Sequence, residues 1–550
     1  MPDHQHIARM AGVALPLFAL RSVSDDGSGT IGDLIPFIDW MARWHQRVVQ
    51  LLPLNETSPT EASPYNAISA FAFDPTYIAT ARVPDIIASE GARHRRAAVS
   101  VQRSPRLRRT RRRHRHAVYT LKMRLLEAGF AGFVSQAGAT KRRRRFARFC
   151  EEQAWWLDEY ALFRALKERF DWRSWETWPE PLRCREPGAL QQVAATVAER
   201  MQFARYVQWV AAEQWDEMRA RARRRGVLVK GDLPFVCSRD SADVWAHREL
   251  FDLSSSAGAP PDAFSASGQA WGLPLYDWEA MRRSGYAWWR QRARQASKLY
   301  DLVRIDHLVG LYRTYAIPVC EGGTAGFVPA QPNEQAIQGH DLLTAILAEA
   351  RGSAGVVAED LGVVPDWVRE SMAQLGIPGY KVFRWETRDG AYIDPRLYPV
   401  LSLATTGTHD TDTLVVWWES LDARERCQVR GVLDTAGGAA AVAPPARAAP
   451  EWTPALHLRL LRRLYEAASV LTILPIQDLF GWRDRINVPA TVDDHNWAFR
   501  LPVATEHLDE TPAIRERMES LRAMIDATGR NTLPAGNPVP DEPGPHAYQA

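Results

Sequence analysis

The sequence predicts an α/β protein built on a (β/α)8 barrel, with inserted segments that are mainly helical. Short apolar runs typical of buried parallel strands alternate with helical patterns along the chain, which indicates a parallel sheet covered by helices. Three of these runs lead into a carboxylate, at Asp306, Glu359 and Asp410. Intervals of roughly 50 residues between them fit barrel units with long loops, and such barrels gather functional residues at the carboxyl ends of their strands.

The candidate strands are apolar runs followed by a polar loop or by a helical pattern. They lie at residues 11–20, 48–54, 226–234, 302–310, 355–358, 380–383, 403–406 and 470–477. After the first run, Leu34, Ile38 and Met41 recur at helical spacing, and we expect Asp33 to cap that helix. A chain of 550 residues can form one large domain with insertions or two domains.

The segment at about 76–225 is predicted to be a helical insertion between barrel units. Helical spacing runs from 155 to 170 and again from 193 to 225. Within the insertion, residues 91–116 are dense in arginine and contain no acid. This pattern favours a solvated loop, with nucleic-acid binding as the alternative, because no aromatic residues are interleaved as stacking platforms.

A second special region is predicted at about 246–300, where we expect loops that cover a substrate. It contains the Gly- and Pro-rich stretch 258–276, which carries Phe264, Trp271 and Tyr276. Long loops without regular structure are usually functional or disordered, and three large aromatic residues favour the first.

The composition excludes several classes of protein. The formal net charge of +3 gives no general affinity for polyanions. Five scattered cysteines without CxxC spacing argue against a disulfide framework and a zinc site, and they favour a reducing cytoplasm. The apolar segment 11–20 is too short to span a bilayer. The tail at 531–550 is predicted to be disordered, so the barrel with its insertions would occupy residues 1–530.

The run from 302 to 310 contains the first candidate for catalysis. Side chains alternate along a strand, so Arg304 and Asp306 leave it on the same face and can lie within reach of each other. A carboxylate that a neighbouring guanidinium keeps ionised suits a nucleophile better than a general acid. An isolated Arg-x-Asp is more often a structural ion pair, and only the acids at later strand ends favour the catalytic interpretation.

The three acids together suit chemistry on glycosides. Glu359 follows the apolar residues 356–358, which favours a raised pKa and the role of an acid. In retaining enzymes one carboxylate is the nucleophile and another, roughly 5 Å away, is first acid and then base. Tyr65, in an aromatic loop at 63–75, is a candidate for stacking on a sugar, with packing under the loop as the alternative.

A set of motifs extends this interpretation. In chain order they are SPYNAISAFAFDP at 63–75, WLDEYALF at 156–163, GDLP at 231–234, DSADVW at 240–245, GAPPDAFSASGQAWGLPLY at 258–276, RIDH at 304–307, AEDLG at 358–362, GTHD at 407–410 and NVPAT at 487–491. Together they resemble the 4-α-glucanotransferases called amylomaltases or disproportionating enzymes, within the α-amylase clan. The resemblance covers about residues 10 to 500. The arginine-dense 91–116 segment departs from the family, which has a moderately charged segment there.

The resemblance implies a catalytic (β/α)8 barrel without a C-terminal β-domain, acting on maltooligosaccharides with glucose or maltose as acceptor. It implies that Asp306 is the nucleophile of a covalent glucosyl-enzyme, that Glu359 is the acid and base, and that Asp410 binds the distorted sugar ring. The residues that it assigns to substrate binding are Arg304, His409, Asp232, Tyr65, Trp271, Phe264, Gln269 and Asp360. It implies no metal and no other cofactor.

Two other interpretations stay open at this point. The protein could be an α-glucan hydrolase, or a transferase with a different acceptor, and an analysis of products would distinguish these. It could also be a non-catalytic protein on the same fold that binds glucan or nucleic acid. The intact acids argue against mere glucan binding, and strongly salt-dependent binding through 91–116 would indicate nucleic acid. We expect neither nucleic acid nor a membrane to be a partner.

Overall fold

The computed structural model describes residues 9–89, 112–135, 140–261, 268–320, 323–350, 355–434, 451–489 and 491–532. Its core is a parallel sheet of eight strands, numbered here in chain order. They are β1 Met10–Ala14, β2 Val48–Gln50, β3 Leu228–Leu233, β4 Leu302–Ile305, β5 Gly355–Ala358, β6 Gly379–Val382, β7 Ser402–Thr405 and β8 Leu471–Pro475. Each candidate strand is present, and the predicted (β/α)8 barrel is confirmed. The first strand is shorter than its apolar run.

The strands close into a barrel in their sequence order. Backbone pairing joins β6, β7, β8, β1, β2, β3, β4 and β5 as successive neighbours. Between β5 and β6, the Ala358 N–H donates to the Pro378 carbonyl at 2.9 Å. Because all eight strands run parallel, their carboxyl ends meet at one rim, where the loops that follow them form the mouth of the barrel.

Helices surround the barrel and fill the segments between its strands. The α-helices of the described residues are Ile31–Arg43, Pro84–Ser89, Arg115–Ser135, Lys141–Arg169, Glu180–Arg183, Pro187–Thr196, Ala198–Arg224, Ala242–Ala246, Trp278–Arg283, Ala287–Leu299, Val309–Tyr312, Pro332–Ala350, Asp366–Leu375, Leu414–Ser420, Ala423–Asp434, Pro454–Tyr465, Ile476–Phe480 and Pro512–Ala527. The described part of the segment between β2 and β3 is mainly helical. Within the described ranges, we find no helix with the length and apolar character that crossing a membrane requires.

The helix Ile31–Arg43 begins with a different cap from the predicted one. Thr30 is its N-cap: the Thr30 hydroxyl accepts a hydrogen bond from the Asp33 N–H at 3.3 Å, and the Asp33 carboxylate accepts one from the Thr30 N–H at 2.8 Å. This reciprocal arrangement is a capping box. Asp33 therefore lies inside the helix as the second half of the cap.

The stretch predicted as a loop at 258–276 is largely a β-hairpin. Its two strands belong to a four-stranded antiparallel sheet made of Phe251–Ala259, Gln269–Tyr276, Thr314–Pro318 and Gly326–Val328. The glycines of this stretch suggested a loop, but Gly258 lies in a strand. A Cβ at this position would come within 2.1 Å of the Gln269 carbonyl oxygen on the neighbouring strand. Glycine permits this close strand pairing.

The end of the arginine-dense segment belongs to the core. Residues 90–111 lie outside the described part of the chain, but the Arg113 side chain is buried, with its guanidinium 4.7 Å from the centre of the Phe18 ring. Burial lowers the pKa of Arg113 to about 10. Arg115 pairs with the buried Asp74 at 2.8 Å. The prediction of a solvated loop is wrong for Arg113 and Arg115. The composition of the segment could not show that Asp74, about 40 residues earlier in the chain, is the partner of Arg115.

Gly231 provides a test of the packing outside the barrel. An added Cβ there would lie 2.4 Å from ring atoms of the buried Tyr300. We therefore expect Gly231→Ala to lower the free energy of unfolding by about 2 kcal/mol, measured by urea denaturation. Gly188→Ala is the matched control, since nothing lies within 4 Å of its added Cβ. Equal destabilisation by the two changes would contradict this packing.

Candidate active site

The carboxyl ends of β3, β4 and β5 place one buried arginine among three carboxylates. Arg304 has a side chain that is 6% exposed, and its Nη1 donates to the two carboxylate oxygens of Asp232 at 2.7 and 2.8 Å. The same Nη1 lies 2.7 Å from Oδ1 of Asp306, and Nη2 lies 3.9 Å from Oε2 of Glu359. Asp232 and Arg304 are direct partners in the register of β3 and β4. The barrel register therefore creates the cluster.

Asp306 follows β4 directly, and its backbone N–H donates to the Leu233 carbonyl at 3.1 Å. Burial raises the pKa of Asp306 to about 6; the charges of Asp232 and Glu359 act in the same direction, whereas Arg304 opposes the rise. Arg304 thus acts on Asp306 in the predicted direction, but it does not cancel the effect of burial. The Asp306 carboxyl group is therefore mainly ionised only above about pH 6.

Glu359 follows β5 directly and is held by backbone groups. Its Oε2 accepts a hydrogen bond from the His307 N–H at 2.7 Å, and its Oε1 accepts one from the Leu361 N–H at 3.1 Å. Burial raises the pKa of Glu359, although Arg304 and the two N–H groups act against the rise. A fixed, buried carboxyl group with a raised pKa can serve as a proton donor.

Asp410 follows β7 and has a different environment from the other two acids. Its Oδ1 accepts a hydrogen bond from Nδ2 of Asn487 at 2.6 Å, and its Oδ2 lies 3.3 Å from Nε2 of His409. Burial acts to raise the pKa of Asp410, but His409 and Asn487 outweigh it and lower the pKa to about 2. In turn, Asp410 raises the pKa of His409 against the effect of burial. Asp410 is therefore a permanent anion beside a histidine that favours its charged form.

Tyr65 connects Asp232 with His409. Its hydroxyl donates to Oδ2 of Asp232 at 2.7 Å, and its ring stacks on His409 with centroids 5.1 Å apart. A pocket bordered by Arg304, Tyr380 and His409 lies inside the mouth of the barrel. Tyr65 thus packs on His409, a residue that lines this pocket.

The hairpin reaches the same cluster through Trp271. The Trp271 ring meets the His307 ring edge to face, with centroids 4.9 Å apart. Its Nε1 donates to Oε1 of Gln269 at 3.2 Å. Because the His307 N–H binds Glu359, Trp271 is linked to the acid through one intervening residue, and Gln269 is linked to it through Trp271 and His307.

One of the predicted substrate-binding residues that the structure describes, Asp360, is not brought together with the rest. Phe264 lies outside the described residues. Asp360 is buried, with Oδ1 accepting from the Tyr380 N–H at 2.7 Å and Oδ2 lying 3.4 Å from Nε of Arg369. These partners give the Asp360 carboxylate a structural role in place of the predicted substrate contact.

Three residues of the cluster have no role in the sequence-based prediction. His307 has a left-handed backbone with φ of 46° and presents its N–H to Glu359. Asn487 binds Asp410, and Trp497 packs its ring 5.6 Å from that of His409. His307 belongs to the RIDH motif and Asn487 to the NVPAT motif, so the sequence offered a signal for both. No sequence motif indicates Trp497, because its contact with His409 depends on the fold. In the described ranges, no group of three or more His, Cys, Asp or Glu side chains is arranged to hold a metal ion.

Comparison with known proteins identifies the family to which the chain is similar. The sequence matches the 4-alpha-glucanotransferase family over residues 15–505. The chain belongs to this family. The 4-alpha-glucanotransferase of Thermus thermophilus is 33% identical to it over 523 residues, which covers 92% of this chain and 96% of the relative. That of Streptococcus pneumoniae serotype 4 is 32% identical over 539 residues, which covers 96% and 99%.

A solved structure supports the same membership. The amylomaltase from Streptococcus agalactiae in complex with acarbose superposes with a TM-score of 0.80 at 27% sequence identity, covering 95% of this chain and 99% of that chain. The resemblance drawn from the motifs is thereby confirmed. The protein is an enzyme with 4-alpha-glucanotransferase activity, and α-glucans are its substrates.

The raised pKa of Asp306 predicts how the 4-alpha-glucanotransferase activity depends on pH. If Asp306 supplies the attacking carboxylate, protonation below about pH 6 removes the nucleophile, so kcat/KM on maltotriose should fall about tenfold per pH unit. Asp410, with a pKa of about 2, stays charged over this range. Initial rates between about pH 4 and pH 8 would measure the profile, with circular dichroism as the control for unfolding. A flat profile down to pH 4 would contradict the assignment.

Proposed function

We propose that the enzyme transfers α-1,4-glucan segments between maltooligosaccharides by a retaining double displacement that uses Asp306, Glu359 and Asp410. The observation that carries the proposal is the shared guanidinium of Arg304, which contacts Asp306 at 2.7 Å and faces Glu359 at 3.9 Å. Two neighbouring carboxyl groups in different environments divide the roles of nucleophile and acid. Arg304 favours the charged form of the closer one, Asp306, and the proposal assigns the proton to Glu359, whose pKa burial raises.

In the first step, the Asp306 carboxylate attacks the anomeric carbon of the donor sugar, and Glu359 gives its proton to the glycosidic oxygen. The glycosidic bond breaks as an ester bond to Asp306 forms, and the leaving segment departs with a free hydroxyl group. In the second step, the 4-hydroxyl of an acceptor gives its proton to Glu359 and its oxygen displaces Asp306. Both carboxyl groups then have their initial protonation states, and the configuration is retained.

The remaining residues of the cluster bind the donor sugar in this proposal. Asp410 is ionised throughout the working range and accepts hydrogen bonds from hydroxyl groups of the distorted ring. His409 donates beside it, and Asp232 with Tyr65 lines the other side. The acarbose complex of the Streptococcus agalactiae relative supports a glucan ligand here. Glucose, maltose or a longer maltooligosaccharide is the acceptor.

The hairpin determines whether a sugar or water completes the reaction. Trp271 covers His307, which is next to the nucleophile and bound to the acid. A covered intermediate reacts with a bound sugar hydroxyl rather than with water, so transfer exceeds hydrolysis. We also propose that the enzyme works in the cytoplasm, which is supported by five cysteines that are all free thiols.

The assignment of the nucleophile is tested by Asp306→Asn. We expect it to lower the rate of maltotriose disproportionation by at least about 1000-fold, measured by chromatography of the products. The fold should persist, because Arg304 keeps its contact with Asp232 at 2.7 Å. Asp341→Asn, at an exposed helical position, is the matched control. Full activity of the Asp306 variant would exclude it as the nucleophile.

The role of the hairpin is tested by Trp271→Ala. Opening the cover should raise the ratio of glucose released by hydrolysis to chains formed by transfer, by about threefold or more. A coupled glucose assay together with chromatography on maltotriose would give this ratio. Trp452→Ala, which removes a tryptophan packed on Trp418 and His457, controls for a general loss of stability. An unchanged ratio would refute the covering role, and hydrolysis alone in the wild type would favour the hydrolase alternative.

A further inference from the structure

The segment after β8 holds the residues after β7 at several points. The side chain of Arg485 donates to the Asp410 carbonyl, and its Nη1 lies 2.7 Å from Oδ1 of Asp412. The backbone N–H of Asn487 donates to the His409 carbonyl at 3.1 Å, while its side chain binds the Asp410 carboxylate at 2.6 Å. The position of His409 and Asp410 therefore depends on this later segment as much as on β7 itself.

Trp497, further along the same segment, has an unusual backbone conformation. Its φ is +58°, in the left-handed region that a residue with a bulky side chain rarely adopts. The Trp497 N–H donates to the Ile486 carbonyl at 2.7 Å, and the neighbouring Asn496 side chain accepts from the Val488 N–H at 3.0 Å. Strained backbone of this kind persists where the surroundings fix it and is concentrated at functional sites.

The ring of Trp497 closes a triangle of three rings. Its centroid lies 5.6 Å from that of His409 and 6.0 Å from that of Tyr65, and these two are 5.1 Å apart. Tyr65 donates to Asp232, and His409 pairs with Asp410. Trp497 is 8% exposed and thus fills the space behind two residues that hold carboxylates on different sides of the site.

We propose that Trp497 is a positioning residue for sugar transfer, whose ring fixes Tyr65 and His409 together and thereby sets the donor subsite between Asp232 and Asp410. This inference rests on the proposed function and deepens it. The indole has no titratable proton in the working pH range and takes no part in the bond-forming and bond-breaking steps. Its effect is to keep two polar groups aligned before the substrate binds, which lowers the barrier by preorganisation.

The charge state of His409 responds to the same geometry. The charged groups around it are Asp410 and Asp232, which raise its pKa, and Arg304, which lowers it. The faces of neighbouring aromatic rings add a preference for the imidazolium form. If Trp497 is removed, the imidazole can turn away from Asp410, and its pKa should fall.

The test compares Trp497→Leu and Trp497→Phe with a matched control. Trp482→Leu removes a tryptophan of the same C-terminal segment whose ring stacks on Phe480 with centroids 4.7 Å apart. For Trp497→Leu we expect kcat on maltotriose to fall about 30-fold or more with KM changed less than about threefold, because alignment rather than affinity is lost. Trp497→Phe should regain about tenfold of this loss, and Trp482→Leu should stay within about threefold of the wild type.

A second readout separates positioning from stability. The alkaline limb of the kcat profile, to which the charged form of His409 contributes beside the proton of Glu359, should move to lower pH in Trp497→Leu and stay in place in Trp482→Leu, since only the first change affects the His409–Asp410 pair. Equal kcat values and equal pH profiles in the two leucine variants would overturn the inference, as would a loss that merely follows the unfolded fraction seen by circular dichroism. Full activity of Asp306→Asn would instead refute the proposed function, and the comparison of the Trp497 variants would still report on positioning.

Discussion

The site depends on the division of one buried positive charge between Asp232 and Asp306. A buried ion pair is costly to break, since removing Arg304 would leave carboxylates unpaired at a cost of about 3–5 kcal/mol. The buried side chain of Lys230, which lies nearby, does not pair with these carboxylates. Lys230, two residues before Asp232 in β3, donates to Gln50 and Tyr380, and both burial and Arg304 lower its pKa well below the usual value. The guanidinium is therefore the charge that orders the acids, and the register of β3 with β4 decides where it lies.

The acid Glu359 is connected to the cover of the site by a short structural path. Trp271 packs on the ring of His307, and the backbone of His307 binds the Glu359 carboxylate. His307, which has a left-handed backbone, directs its N–H to Glu359 and its ring to the hairpin. A displacement of the hairpin would thus reach the proton donor through a single residue. This links the exclusion of water to the alignment of the acid.

The sequence was informative where local pattern and function coincide. Every barrel strand was predicted, because a buried parallel strand must be an apolar run, and Asp306, Glu359 and Asp410 were identifiable because they follow such runs. The hairpin at 251–276 was missed because glycine and proline, which suggest a loop, serve there to bring two strands close together. Arg113 was misjudged because its partners are far away in sequence. The position of Trp497 could not be inferred, since three rings from separate loops meet only after the barrel closes.

The pairing of Arg115 with Asp74 has a consequence for how this fold can be altered. Burial acts to raise the pKa of Asp74, yet Arg115 and Arg113 outweigh it and keep the carboxylate charged. Asp74 lies in the same loop as Tyr65, and its two counterions come from the N-terminal end of the helix Arg115–Ser135, within the helical insertion. Excising that insertion, in a laboratory or during evolution, would leave the buried Asp74 carboxylate without its counterions. The insertion is therefore not a detachable module, and a minimal version of this enzyme must keep Arg113 and the helix Arg115–Ser135.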